Sequence, residues 1–130
     1  MDDVNELTQS IIGSAIEVHR TLGPGLLESS YEICLEYEFN IRQIPYKRQI
    51  EIPLCYKAIA LKNSYRLDFL VANCIVIELK AVDVLLPIHE AQMLSYLKLG
   101  KWKIGLLINF HVPRLTMGIK RIVLGFEENE

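Results

Sequence analysis

Apolar residues recur every three or four positions at the start of the chain. Leu7, Ile11, Ala15, Val18 and Leu22 line one side of a period of about 3.6 and predict a helix from about Val4 to Thr21. Asp3 with Glu6 three residues later resembles a capping box at its start. His19, beside the stripe, reads as a structural histidine. Gly23-Pro24-Gly25 ends this helix, because proline cannot continue it and glycine is free to take positive φ. A second helix is predicted from about Leu26 to Asn40. Leu27, Tyr31, Cys34 and Leu35 share its packed face, and Leu26, Ile33 and Tyr37 widen it. Glu28 falls in its first turn, where the helix dipole favours an anion, while Glu32 and Glu36 read as solvated.

The period then changes to two. Ile50, Ile52, Leu54 and Tyr56 alternate with polar residues and predict a half-exposed strand, with Pro53 pointing to a sheet edge. A turn near Tyr56-Lys57 leads into Ala58–Leu61, and Asn63-Ser64 predicts a further turn into the stretch Tyr65–Lys80. Together these predict a four-stranded antiparallel meander. A connector from Ala81 to Pro87 precedes a helix from about Ile88 to Leu99. Ile88, Ala91, Leu94, Ser95 and Leu99 are its expected packing positions, and His89, Gln92 and Tyr96 form a polar-aromatic stripe. Lys103–Asn109 is nearly all apolar, as suits a strand buried on both faces, and a strand after a helix after a strand predicts a parallel crossover. Ile119–Leu124 predicts a last strand.

The stretch Tyr65–Lys80 carries the charged groups that this pattern least tolerates. Ile75, Ile77 and Leu79 point to one face, and Glu78 and Lys80 to the other. A turn centred on Asn73 places Asp68 opposite Glu78, whereas a two-residue turn at Ala72-Asn73 would put Asp68 opposite Ile77 on the wrong face. A three-residue turn or a bulge is therefore predicted. Carboxylates on a mostly buried strand cost several kcal/mol unless paired or coordinated. Two readings satisfy them: a structural ion pair with Lys80, or a divalent-metal site in which Asp68 and Glu78 supply hard oxygens and Lys80 a positive charge.

The chain has 130 residues and is 51% hydrophobic, enough for one compact domain over residues 1–130. The acidic start Met1-Asp2-Asp3 is not a signal peptide, and no apolar run approaches the ~18 residues of a membrane span. Cys34, Cys55 and Cys74 are odd in number and far apart, which predicts neither a disulfide framework nor a thiolate metal site. These features predict a soluble, cytoplasmic protein. The net charge of −2 argues against gripping a polyanion by charge alone, but it is unevenly spread. Residues 1–40 hold one basic and eight acidic residues, and residues 41–126 hold thirteen basic and five acidic. A basic face built from Arg42, Lys47, Arg48, Lys57, Lys62, Arg66, Lys98, Lys101 and Lys103 is one outcome, and an ordinary solvated surface is the other.

Five stretches in this order carry a resemblance: G-P-G-L-L-E-S-S-Y-E, Y-R-L-D-F-L-V, V-I-E-L-K-A-V, H-E-A-Q-M-L-S-Y-L and I-G-L-L-I-N-F. The chain resembles the PD-(D/E)XK nuclease superfamily and, more narrowly, the GxxExxY family of small bacterial and archaeal proteins. The resemblance implies an α/β (α+β) fold: a restriction-endonuclease-like core whose central mixed β-sheet is flanked by helices. It implies Asp68 and Glu78 as metal ligands with the Leu79 carbonyl, Glu28 as a third carboxylate, and Lys80 as the motif lysine. It also implies Gln92 and Tyr96 as a Q-x-x-x-Y pair, the glutamine near the metal and the tyrosine near the nucleic-acid backbone. Tyr31 of the same signature is taken as a substrate-binding residue. Arg66 is a candidate for pairing with phosphate, or equally with Glu28 or Asp68. The activity so implied is a Mg²⁺- or Mn²⁺-dependent nuclease cleaving phosphodiester bonds, with DNA favoured. The alternative is a catalytically silent nucleic-acid-binding or regulatory module acting in a complex. A homodimer is a further expectation, since it would add a recognition surface.

Overall fold

The computed structural model describes residues 3–125, the side chains of residues 62–64 excepted. Lys62 of the expected basic face and the acidic end of the chain therefore lie outside the described residues. The elements run α1 (Val4–Leu22), α2 (Glu28–Ile41), β1 (Tyr46–Tyr56), β2 (Ile59–Val71), β3 (Ile75–Lys80), α3 (Pro87–Gly100), β4 (Ile104–Asn109), a short 3-10 turn (Leu115–Gly118) and β5 (Ile119–Val123). The strands form one mixed five-stranded sheet in the order β1-β2-β3-β4-β5. Among the described strands only the β3–β4 pair is parallel, and α3 makes the crossover between them.

The predicted four-stranded meander is a three-stranded one. β2 runs unbroken through residues 63 and 64, because pairing with β1 on either side of them, Ile52 with Tyr65 and Leu54 with Leu61, keeps the chain extended. Pro53 lies on the edge strand β1, where a register irregularity between Ile52 and Leu54 absorbs its missing donor.

The sheet is covered on both faces. On one side Ile11, Ala15 and Val18 of α1 and Tyr31, Leu35 and Phe39 of α2 pack on Phe69, Val71, Ile75, Ile77, Leu79, Leu106 and Ile108. On the other, Met93, Tyr96 and Leu97 of α3 pack on Ile52, Leu67, Leu70, Val76, Leu107 and Ile122. The packing face of α3 differs from the expected one. Ile88, Ala91, Ser95 and Leu99 are exposed, and Met93 and Leu97 are buried in their place. Gly105 on β4 explains the close seat of α3, since a β-carbon there would run into the side chain of Met93. α2 likewise leaves Leu26 and Leu27 outside its packed face, Leu27 being 73% exposed.

The hairpin register follows the sequence argument. Phe69 pairs with Ile77, Leu70 with Val76 and Val71 with Ile75, across a three-residue turn at Ala72-Asn73-Cys74. Ala72 and Asn73 both take left-handed φ there (52° and 58°), and the Cys74 amide closes the turn on the Val71 carbonyl. This register brings Asp68 and Glu78 level.

Candidate metal and nucleic-acid site

Where Asp68 meets Glu78, side chains replace the backbone ladder. The Asp68 amide donates to Glu78 Oε2 at 2.8 Å, and the Leu79 amide donates to Asp68 Oδ2 at 2.8 Å. Each carboxylate is thus tied by one oxygen to the other strand. Asp68 Oδ1 and Glu78 Oε1 have no hydrogen-bond partner among the described residues.

The pair sits in a demanding environment. Glu78 is only 7% exposed. Burial first, and then the charge of Asp68, pushes its carboxyl up to about 8. Burial is also the main cause that raises Asp68, to about 6, with Glu32 and Glu28 adding to it. Lys80 is near enough to lower both, but it forms no direct ion pair with either among the described residues. The structural ion pair, one of the two readings open to the hairpin, is therefore not what holds these carboxylates. A buried and a half-buried carboxylate repelling each other, each with a spare oxygen, form a donor set that fits a divalent cation.

Glu28 arrives from the other side. It opens α2, and its Oε2 accepts from the Ala81 amide at 3.2 Å, one residue beyond Lys80. Its position depends on Tyr31. That residue is fully buried, its ring stacked on Phe110 with centroids 4.4 Å apart. Its hydroxyl donates to the Gly23 carbonyl at 2.6 Å and accepts from the Leu26 amide at 3.1 Å. Tyr31 is therefore not placed to touch substrate; it pegs the Gly-Pro-Gly loop to α2 and so sets where Glu28 begins. Tyr31→Phe leaves that loop without its tie and should lower stability by about 1 kcal/mol, read as a shift in urea midpoint. An unchanged midpoint would refute the peg role.

Among the described residues, no three His, Cys, Asp or Glu side chains converge as a ready-formed metal cage. The arrangement is two carboxylates in contact with each other's strands and Glu28 further off. Magnesium commonly keeps several waters and takes few protein carboxylates, so such a sparse set suits it.

α3 closes the other flank. Tyr96 is 7% exposed, and burial together with the charge of Glu78 pushes its hydroxyl up to about 12. Gln92, one turn earlier, is half-buried beside it. His89 leaves the expected stripe: its Nδ1 accepts from the Leu86 amide at 2.9 Å and caps the start of the helix. Arg66 pairs with Glu51 at 3.6 Å, both groups exposed, rather than with Glu28 or Asp68. Arg42 and Arg48 also face acids, Glu38 and Glu32/Glu36. The expected basic face is thinner than its sequence count.

Two residues escaped the sequence reading. Glu32, expected in solvent, is 8% exposed and accepts from Arg48 Nε at 2.8 Å and Gln49 Nε2 at 2.7 Å. Its charge raises both Asp68 and Glu78. Its place one helical turn after Glu28, on the same face, was the available signal. Gln49 reaches it from a left-handed backbone position (φ 55°), where the β1–β2 ladder skips the pair opposite Asp68. Asn109 is the other. It lies beside Lys80 in the β3–β4 register, and its side chain holds both the amide and the carbonyl of Val82. It thereby fixes the connector that leaves the site, and the Phe110 amide adds a bond to the Lys80 carbonyl at 2.9 Å.

Comparison with known proteins agrees with this geometry. The family model described as the PD-(D/E)XK nuclease superfamily matches residues 5–122. No curated protein and no solved structure matches. The match runs from the first turn of α1 into β5, the D…ExK hairpin and the Q…Y helix included, and the chain belongs to the PD-(D/E)XK nuclease superfamily.

Proposed function

We propose that this protein is a metal-dependent nuclease of the GxxExxY type that hydrolyses phosphodiester bonds, DNA in the first place, in the cytoplasm. The observation that carries the reading is the pairing of half-buried Asp68 with buried Glu78, mutually repelling and, among the described residues, without a cationic side chain in direct contact. The superfamily generally uses divalent metal ions and acts on nucleic acid, which favours the same reading.

Asp68 and Glu78 would hold Mg²⁺ or Mn²⁺, with the Leu79 carbonyl and Glu28 as further oxygen donors. The cation supplies polarisation of a phosphoryl oxygen and a more acidic water. The Lys80 ammonium, its backbone fixed by β4, offsets negative charge growing on the phosphate. Gln92 orients the reacting groups from α3. The Tyr96 hydroxyl would donate to the nucleic-acid backbone. Arg66 is free to exchange its exposed pair with Glu51 for a phosphate.

The test is a cleavage panel of linear and circular duplex, single-stranded DNA and RNA, with Mg²⁺ and with Mn²⁺. An identically purified Asp68→Asn protein controls for contaminating nucleases. Metal-dependent cleavage by the natural protein alone is the expected result. Equal cleavage by both, or none by either, would transfer the weight to a silent binding module.

A further inference from the structure

A cavity of about 550 Å³ lies between α3 and the β1–β2 hairpin. Ile88 and Leu99 give it apolar walls, the rings of Tyr65 and Tyr96 form one side, and Gln92, Ser95 and Lys98 add polar side chains. Tyr96 lines it and also lies near enough to Glu78 and Asp68 to feel their charge, so the cavity opens beside the carboxylate pair.

We propose that this cavity takes an unpaired nucleobase of the substrate strand, so that the protein acts on single-stranded nucleic acid in preference to an intact duplex. The inference rests on the reading of the Asp68–Glu78 pair as a nuclease site.

Three features support a base as the occupant. The volume falls within the range of about 300–1,000 Å³ usual for pockets that enclose small organic groups. The Tyr65 ring is half-exposed and braced by Tyr96, with centroids 5.9 Å apart and planes tilted by 42°, so it offers an aromatic face already held in place. The few polar groups match a nucleotide: the Gln92 amide both donates and accepts, as a base edge requires, and the Lys98 ammonium suits a backbone phosphate. Ile88, 67% exposed, is otherwise left against water. A paired base is stacked on both faces and cannot enter without being flipped out of the duplex. An unpaired strand carries no such cost. Stacking of this kind tolerates every base, so little sequence preference is expected.

The experiment is anisotropy of a short labelled single strand and of the matching blunt duplex. Ca²⁺ replaces Mg²⁺ so that binding is read apart from turnover. The proteins are the natural chain, Tyr65→Ala, Tyr65→Phe and Ala91→Trp, the last filling the cavity from an exposed helix position. The natural chain should bind the single strand more tightly. Tyr65→Ala and Ala91→Trp should each weaken that binding roughly tenfold, the size of one lost base–aromatic stack, with Tyr65→Phe near the natural value. Thermal unfolding of each variant separates lost binding from lost fold. Equal or tighter binding of the duplex, or folded variants that bind the single strand unchanged, would overturn the inference and leave the cavity to an apolar peptide segment. Cleavage of the same strands with Mg²⁺ separates the two readings. Cavity-dependent binding without turnover would retain the base pocket and reject the nuclease. Turnover indifferent to strandedness and to both cavity variants would do the reverse.

Discussion

Glu78→Gln should abolish metal-dependent cleavage and at the same time make the protein more stable above neutral pH. The two effects share one cause. Glu78 is buried against Asp68, and its carboxyl is raised from 4.5 to about 8. In the unfolded chain it ionises near 4.5; in the folded chain it holds its proton until about 8. Between those values the unfolded state binds fewer protons, so stability falls as pH rises through that window and stays low above it. Below pH 4.5 both states are protonated and the group contributes no pH dependence. Asp68, raised from 3.8 to about 6, adds to the fall over the lower part of the same range.

Glutamine keeps the shape and an oxygen to accept from the Asp68 amide, but it has no charge to bury. The expected gain at pH 8 in EDTA is on the order of 2 kcal/mol, with little difference at pH 5, read from urea midpoints at the two pH values. Mn²⁺ should raise the midpoint of the natural protein at pH 8 and leave that of Glu78→Gln nearly unmoved. A variant less stable than the natural protein at pH 8 would mean that the pair stabilises the fold, and the case for a cation-demanding site would fail.

Lys80→Ala should lower turnover by roughly 10²–10³-fold, the usual loss when a preorganised group facing transition-state charge is removed. The fold should survive. Lys80 is half-buried at the end of β3, forms no direct ion pair with Asp68 or Glu78 among the described residues, and is held through its backbone by β4 and by the Phe110 amide. The expected change in stability is within about 0.5 kcal/mol. Its charge lowers both carboxyls, so its loss should also shift the acidic limb of the residual pH–rate profile upward. A turnover loss that tracks an equal loss of folded protein, with no shift of that limb, would reduce Lys80 to a structural residue.

Much of this site was legible in one dimension because strands alternate with period two. Placing Asp68 level with Glu78 needed only the turn length, and a two-residue turn was excluded because it would set Asp68 opposite Ile77, on the apolar face of Ile75, Ile77 and Leu79. The order of helices and strands, the parallel crossover into β4 and the edge position of Pro53 follow from local period and local chemistry in the same way.

What the chain could not reveal by itself concerns contacts between elements distant in sequence. Tyr31 lies inside a signature motif, and only the packing of α2 against Phe110 shows it to be a buried peg. Glu32 looks like any solvated helix acid until Arg48 and Gln49 of β1 close over it. The face of α3 differs from the periodic expectation because Met93 and Leu97 are buried against the sheet, where Gly105 gives Met93 room, while Ile88, Ala91 and Leu99 stay outside. The expected Asn63-Ser64 turn is absent because the strand is paired with β1 on both sides of it. Local periodicity determines which side of an element is apolar; which apolar side meets which partner, and what is left open beside it, is a balance of packing that exists only once the sheet and its helices have come together.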